Sequence, residues 1–437
     1  MEILFNKTVG KIKPMHAVNN MPLRGTSDSM HHYVKEAGIP YVRLHDTGGM
    51  YGANRFVDIE NIFRDFSADE NDPASYDFAF TDWLLNSIDA QNSKIFYRLG
   101  TTIENSQHIK AYRIYPPKDN LKWARICEKI IAHYNEGWAD GFKLGIKYWE
   151  IWNEPDNYPD IKDNCMWKGT FEEYLELYKV TSRHLRERFP DIKIGGYASC
   201  GFYAIFTDEY IESAHSSSRT DYFVECFHKF MKFVKENDLP LDFFSWHSYS
   251  GIEKNIAYEK YVHEQLLEYG YENTESILNE WNPGTQRRGT LADSAYISEM
   301  MLKMQDTTCD MLMYYNGDIN GVYNGLYNPL TFTPFKAYYV LKAFNELYNL
   351  ENQVYVNCEE NSISCVAAVK GDEKAIVITN TGEKKSFEIQ SDVNETFALY
   401  RISETSDLEF ENSVSLSDKI EIGEFETILL VRKDENR

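Results

Sequence analysis

The sequence predicts an α/β protein: a (β/α)8 TIM barrel with an accessory all-β sandwich. Short β-branched or aromatic runs alternate eight times with amphipathic stretches whose apolar residues recur at spacings of three and four. After Tyr348 the alternation stops and strand-like runs separated by polar turns take over. No Gly-x-Gly-x-x-Gly follows the first strand, which counts against the rival open, doubly wound sheet, and eight units is the number that closes.

Taken in order, the predicted barrel strands cover 12–18, 41–46, 94–100, 147–155, 193–198, 242–249, 275–281 and 311–317. The clearest helical patterns between them cover 79–91, 123–134, 171–189, 223–237, 258–270 and 295–306. Thr170 with Glu173 forms a capping box, and Thr333 followed by Pro334 places proline at the first position of the last helix. The later strands cover 354–358, 362–370, 374–382, 386–391, 396–403, 419–423 and 427–433. The expected division is a barrel over 11–349 and a β-sandwich over 350–437, completed by a strand from 1–10, where EILFN alternates. Without a flexible linker between them, the two units should pack firmly.

Composition narrows the function. Lys plus Arg is 45 and Asp plus Glu 68, a net charge of −23 that repels phosphate backbones and makes a nucleic-acid partner unexpected. The 43% apolar fraction excludes a disordered chain. No apolar run approaches the ~18 residues a membrane span needs, so no membrane partner is expected. No basic start followed by an apolar stretch opens the chain, and the seven cysteines are scattered without a Cys-x-x-Cys; both point to a cytoplasmic protein with reduced thiols. A Cys358–Cys365 disulfide is the less favoured reading. No His-Glu-x-x-His or similar spacing argues for a metal, and no cofactor is implied.

In such a barrel, reacting groups sit at the C-terminal ends of strands. The residues there are His45 and Asp46, Asn153 and Glu154, His247 and Tyr249, Glu280 and Trp281, and Asn316 and Asp318. Glu154 ends the fourth strand and Glu280 the seventh, across the barrel mouth from each other. Two facing carboxyls suit glycosidic bond cleavage: the leaving oxygen must receive a proton, and the anomeric carbon must meet an anion or an activated water. A gap of about 5 Å permits direct attack and retention of configuration, whereas about 6.5–9.5 Å admits a water and gives inversion.

YWEIWNEP (148–155) resembles the acid/base motif of retaining glycosidases of the large barrel clan, and in this form is most similar to glycoside hydrolase family 39. WHSY (246–249) resembles that family's His-x-Tyr, NEWN (279–282) its nucleophile motif, VRLH (42–45) its Arg-x-His, GGYA (195–198) its strand-five turn, and NPLTFTPFKAYY (328–339) its entry to the last helix. Six motifs in order span nearly the whole barrel. The resemblance implies Glu154 as general acid and then base, Glu280 as nucleophile, and Asn153 as the contact to the sugar 2-hydroxyl. It implies Tyr249 as donor to Glu280, Arg43 beneath the nucleophile, and His45 and His247 on sugar hydroxyls or around the nucleophile. The negative charge of Glu280 is expected to make Glu154 keep its proton until Glu280 is esterified.

Other residues carry plainer readings. Glu150 shares the strand phase of Glu154 and is read as a buried partner for Arg43 or another donor. Trp152, Trp246 and Trp281 either stack on sugar or fill the core, with Trp281 favoured as the sugar platform. Asn316 is assigned to substrate contact. The other nine of the eleven histidines are read as structural. Two places depart from the family pattern: MYYNGD (313–318), where the family has Trp on its eighth strand, and the loop 46–52. Segments 46–60 and 156–170 favour action on chain ends.

The expectation is therefore a retaining, exo-acting β-xylosidase-like enzyme acting on plant-type oligosaccharides or other glycosides, with a homo-oligomer left open. α-L-Arabinosides or β-galactosides are the alternative substrates. A non-catalytic sugar-binding relative is the competing class, though binding alone would not require both carboxyls. A dehydrogenase or serine hydrolase lacks its phosphate loop or Gly-x-Ser-x-Gly.

Overall fold

The computed structural model describes residues 1–23, 29–47, 57–103, 114–205, 217–284, 286–319, 323 and 325–432. The elements run β1 (Glu2–Lys11), β2 (Ala17–Asn19), α1 (His31–Glu36), β3 (Tyr41–Leu44), α2 (Ile59–Ile62), α3 (Ala79–Asp89), β4 (Lys94–Leu99), α4 (Asn120–Asn135) and β5 (Tyr148–Ile151). They continue α5 (Phe171–Arg188), β6 (Lys193–Ser199), α6 (Ser218–Glu236), β7 (Phe243–Ser248), α7 (Ile252–Tyr269), β8 (Glu275–Trp281), α8 (Leu291–Gln305), β9 (Met311–Tyr314) and α9 (Lys336–Leu350). Then follow β10 (Asn352–Asn357), β11 (Ile363–Lys370), β12 (Glu373–Asn380), β13 (Lys385–Phe387), β14 (Gln390–Ser391), β15 (Thr396–Ile402), β16 (Asp407–Ser415), β17 (Ile420–Ile422) and β18 (Thr427–Arg432).

Strands β2 to β9 form a closed parallel barrel in sequence order, sealed where Ala17 and Val18 pair with Met313 and Tyr314. Both faces of each strand are covered, which is why these strands read as continuous apolar runs rather than alternating ones. The interior is layered. Ala17, Phe96, Tyr148, Phe243, Ile277, Met311 and Met313 fill the lower barrel. Arg43, Glu150, Ser245 and Asn279 form a buried polar layer linked by hydrogen bonds. The candidate site lies above it. Gly195 permits one tight contact: a Cβ there would lie 2.1 Å from the Phe243 carbonyl oxygen, so any side chain would force β6 from β7.

The capping box predicted at Thr170 is present, with Thr170 and Glu173 each bonding the other's backbone. The expected Thr333–Pro334 start is not. Pro334 instead pairs with Tyr327, Thr333 Oγ1 bonds Thr331 Oγ1, and α9 begins two residues later with Phe335 as cap. Extended pairing over 326–335 competes with the first helical turn and wins.

The second unit is an eight-stranded sheet in the order β14-β1-β10-β11-β12-β18-β15-β16, antiparallel except for β1–β14, with a separate β13–β17 ribbon. Alternation sorts its two faces. Val366, Ala368, Ala375, Val377, Leu429 and Val431 join the barrel's helical core, while Ile376, Ile378, Phe397, Leu399, Ile428 and Leu430 pack with Ile420 and Ile422 of the ribbon. The N-terminal strand β1 pairs with β10, and Ser298 of α8 bonds Thr379 of β12 at 2.6 Å. Strand β16 escapes the sequence reading because it is a mostly exposed edge strand that, among the described residues, pairs with β15 alone, so no apolar alternation marks it. All seven cysteines are free thiols, Cys358 and Cys365 included. Among the described residues, no helix is long and apolar enough to cross a membrane.

Candidate active site

The upper rim is built where strands end. Trp152 and Glu154, just beyond β5, both have left-handed backbones, with φ of 74° and 46°. For residues with a Cβ this conformation costs about 1–2 kcal/mol, so the surroundings must impose it. Trp152 N–H donates to the Leu99 carbonyl (2.7 Å) and Glu154 N–H to the Ala198 carbonyl (3.1 Å), while the Trp152 indole packs against Trp123 and Trp167. The twist buries Trp152 outside the barrel and turns Asn153 and Glu154 inward.

Glu280 is reached by a different device. Trp246 pairs with Leu278, but His247 pairs with Glu280, so β8 carries an extra residue there. The irregularity lets both Asn279 and Glu280 face the interior, where plain alternation would admit only one. Trp281 then faces the helices: it is 2% exposed, packs edge-on to Tyr314 at 5.3 Å and belongs to the barrel–helix core. The expected sugar platform at Trp281 is thus corrected, and Trp152 and Trp246 are likewise fully buried. The aromatic groups near the carboxylates are tyrosines instead. Tyr249 and Tyr323 stack at 5.5 Å, and Tyr315 meets Tyr323 edge-on at 5.2 Å.

Arg43, fully buried, ties the site together. Its Nε and Nη2 donate to Glu150 Oε2 (2.8 and 2.7 Å), its Nη1 to Glu280 Oε1 (2.7 Å) and Asn19 Oδ1 (3.0 Å), and its Nη2 also to Asn153 Oδ1 (2.5 Å). Burial opposes its charge, but the Glu150 and Glu280 carboxylates outweigh burial and hold the guanidinium above its ordinary value. Glu150 Oε1 accepts from Ser245 and Asn279, both at 2.6 Å. Tyr249 Oη donates to Glu280 Oε2 at 2.8 Å, and burial with the Glu280 charge pushes this phenol well above its usual value, so it stays a donor.

The two carboxylates meet at His247. Its Nδ1 lies 2.8 Å from Glu154 Oε1 and its Nε2 3.5 Å from Glu280 Oε1. An oxygen of Glu154, a nitrogen of His247 and an oxygen of Glu280 all lie within 4.8 Å of one another. Burial alone would raise Glu154, but the His247 hydrogen bond and charge outweigh it and carry the carboxyl below its ordinary value. His247 moves the opposite way: burial lowers it, yet Glu280 and Glu154 together raise it. The pair therefore favours the imidazolium–carboxylate form. This revises the expectation that Glu280 alone keeps Glu154 protonated, because the nearer histidine dominates. Asn157, absent from the sequence reading, donates to Glu154 Oε2 at 2.8 Å.

His45 lies on the other flank, its Nε2 3.3 Å from Asp46 Oδ1 and 3.8 Å from Glu280 Oε1. Burial and the Arg98, Arg43 and His247 cations hold it well below its ordinary value, so it is a neutral imidazole. Asn316 is buried at the end of β9, where its Oδ1 accepts from the Asp318 N–H; no hydrogen bond joins it to either carboxylate. The part of loop 46–52 beyond Thr47 lies outside the described residues. Glu154, His247 and Glu280 are also the one cluster of potential metal ligands among the described residues. Arg43 already supplies the cation at Glu280, and a metal ion there would be repelled by it.

These features define a (β/α)8-barrel protein with a facing carboxylate pair at the C-terminal rim. The chain belongs to glycosyl hydrolases family 39, whose model matches residues 1–358. It is 28% identical over 253 residues to a Geobacillus stearothermophilus β-xylosidase, covering 55% of this chain and 41% of that protein. It is 25% identical over 206 residues to a Caldicellulosiruptor saccharolyticus β-xylosidase, covering 44% and 36%. The matches thus span well under half of these relatives. Among solved structures, a Croceicoccus marinus glucosidase superposes with a TM-score of 0.79 at 18% identity, covering 99% of both chains. A family 39 β-xylosidase from Caulobacter crescentus gives 0.69 at 17%, again over 99% of both chains. At such identities these likenesses speak to the fold.

Proposed function

We propose that this protein is a retaining glycoside hydrolase that removes terminal sugars by double displacement, with a β-xyloside as its first-choice substrate. The observation that carries this reading is the approach of Glu154 and Glu280 oxygens to within 4.8 Å across the barrel mouth. That is the short carboxyl spacing of direct attack rather than the wide gap that holds a water. Family membership and the β-xylosidase relatives support the substrate class.

In this mechanism Glu280, aimed by Arg43 and Tyr249, attacks the anomeric carbon and forms an ester. The Glu154–His247 pair holds one proton, which passes through Glu154 to the departing oxygen. Esterification removes the Glu280 charge that most strongly favours protonated His247, leaving Glu154 an ionised base beside a neutral imidazole. Water then gives a proton to Glu154 as its oxygen bonds to the anomeric carbon and the bond from that carbon to Glu280 breaks, which frees the Glu280 carboxylate and restores the shared proton. Asn153 Oδ1 is engaged by Arg43, so its amide N–H₂ is the group presented to the sugar 2-hydroxyl.

Incubation with a 2-fluoro xyloside tests the reading. The intact protein should gain one sugar mass, and peptide mapping should find it on Glu280. A protein that binds xylosides without acquiring that label would instead be a carbohydrate-binding relative.

A further inference from the structure

Arg98 stands two residues beyond Phe96 on β4 and so faces the interior above the apolar layer. It is fully buried, yet only Nη2 is engaged, donating to Asp58 Oδ1 at 2.7 Å. Among the described residues its Nε and Nη1 have no hydrogen-bond partner. Asp58 is occupied in holding it, since the same carboxylate accepts from Thr102 N–H at 2.9 Å and Thr102 Oγ1 at 3.1 Å. Unpaired guanidinium donors in a protein interior are costly, so the spare pair marks a place where an acceptor belongs.

Acceptors stand beside it. His45 brings Nε2 within 3.3 Å of Asp46 Oδ1, and its Nδ1 is buried with no partner among the described residues. Asp46 Oδ2 accepts from Tyr315 Oη at 3.0 Å, and 23% of the Asp46 side chain remains open. The ends of β3 and β4 lie side by side, and a sugar hydroxyl, which both donates and accepts, matches spare N–H donors on one and an unpartnered imidazole nitrogen and a carboxylate just past the other. An anionic substituent does not fit, because Asp46, Asp58 and Glu280 already crowd the cations.

We propose that Arg98, Asp46 and His45 form a wall that reads hydroxyls of the bound sugar, making Arg98 and Asp46 specificity-determining residues for an uncharged glycoside. This rests on the glycosidase reading. The arrangement explains why a fixed charge pair, Arg98–Asp58, is kept inside a strand end that could otherwise be apolar.

The test compares kcat/KM for 4-nitrophenyl β-xyloside and its 3-deoxy and 4-deoxy analogues in the wild type, Asp46→Asn and Arg98→Lys. Asp46 has φ of 52°, a conformation asparagine also adopts readily, so Asp46→Asn keeps the fold and decides the question even if Arg98→Lys fails to fold. The wild type should lose about 10- to 150-fold on the analogue lacking the hydroxyl that is read, the loss expected for a hydrogen bond to a charged group. In Asp46→Asn that loss should shrink below about threefold, because the contact is already gone. Equal deoxy penalties in wild type and variant, or no penalty in the wild type, would overturn the assignment while leaving the glycosidase reading intact. Failure of the wild type to turn over any glycoside would remove that reading and this one together.

Discussion

Tyr249→Phe separates the two half-reactions. Two close donors hold the Glu280 carboxylate, Arg43 at 2.7 Å and Tyr249 at 2.8 Å, with His247 and His45 farther off at 3.5 and 3.8 Å. Glu280 loses its charge when it attacks and regains it when it departs from the sugar. A donor on that carboxylate therefore resists the first step and assists the second. A hydrogen bond to a charged group contributes about 1.5–3 kcal/mol, and with roughly half the charge restored at the transition state the second step should slow about 3- to 13-fold. A dinitrophenyl glycoside, whose leaving group needs little proton assistance, makes the second step limiting in the steady state. Stopped-flow release of dinitrophenol should show a full burst followed by a slowed steady rate, and KM should fall together with kcat as the ester accumulates. Quenched samples should carry the sugar mass on most of the protein. An unchanged steady rate with no build-up of ester would refute the assignment of Glu280 as the group that bonds to sugar.

Further outcomes follow from the same geometry. Glu154→Gln should cost about 10²- to 10⁴-fold in kcat/KM on xylo-oligosaccharides, the usual range for lost general acid catalysis, but far less in kcat/KM on the dinitrophenyl substrate, whose kcat still falls because water has lost its base. Added azide should restore turnover of that variant and give a glycosyl azide of retained configuration, and chromatography showing free sugar alone would contradict the role. The pH dependence follows from the pair at His247, raised above its ordinary 6.5 while Glu154 is carried below 4.5. Activity should fall on the alkaline side as His247 loses the shared proton, and His247→Gln should move that alkaline limb of kcat/KM to lower pH, because a carboxyl alone must then keep the proton. A limb that stays in place would assign the titration elsewhere. Glu150→Gln should destabilise the fold by about 3–5 kcal/mol in urea titrations, since it leaves buried Arg43 with one carboxylate fewer.

Legibility in the sequence tracked how local each signal was. Glu154, Glu280, His247 and Tyr249 could be singled out because each sits at or just past a strand whose apolar run marks its own end, whereas Arg43, inside β3, was named only through the resemblance of VRLH to the family motif. The orientation of Trp281 was not, because one extra residue in β8 reverses which neighbours face inward, and period-two reasoning has no means of seeing it. Pro334 looked like a helix start until the Tyr327 pairing took it. Arg98 gave a faint signal, a charge inside the apolar run IFYRL, but its partner Asp58 lies on another connection and only the closed barrel brings them together. Strand β16 exposes most of its side chains, so packing left no pattern to find.

The buried polar layer explains how a nucleophile can be held by an arginine without being quenched. Were Arg43 paired with Glu280 alone, the full guanidinium charge would bind that carboxylate and tax its attack. Glu150 takes two of the Arg43 hydrogen bonds and also accepts from Ser245 and Asn279, so its carboxyl is fully engaged below the site. The cation is thereby shared, and Glu280 receives one strong hydrogen bond from it rather than a forked pair. Asn153 binds the same guanidinium, which couples the group facing the 2-hydroxyl to the group facing the anomeric carbon through one rigid side chain. Positions on β3, β5, β7 and β8 are in this way fixed relative to each other by a network below the site, and substrate need not organise them on arrival.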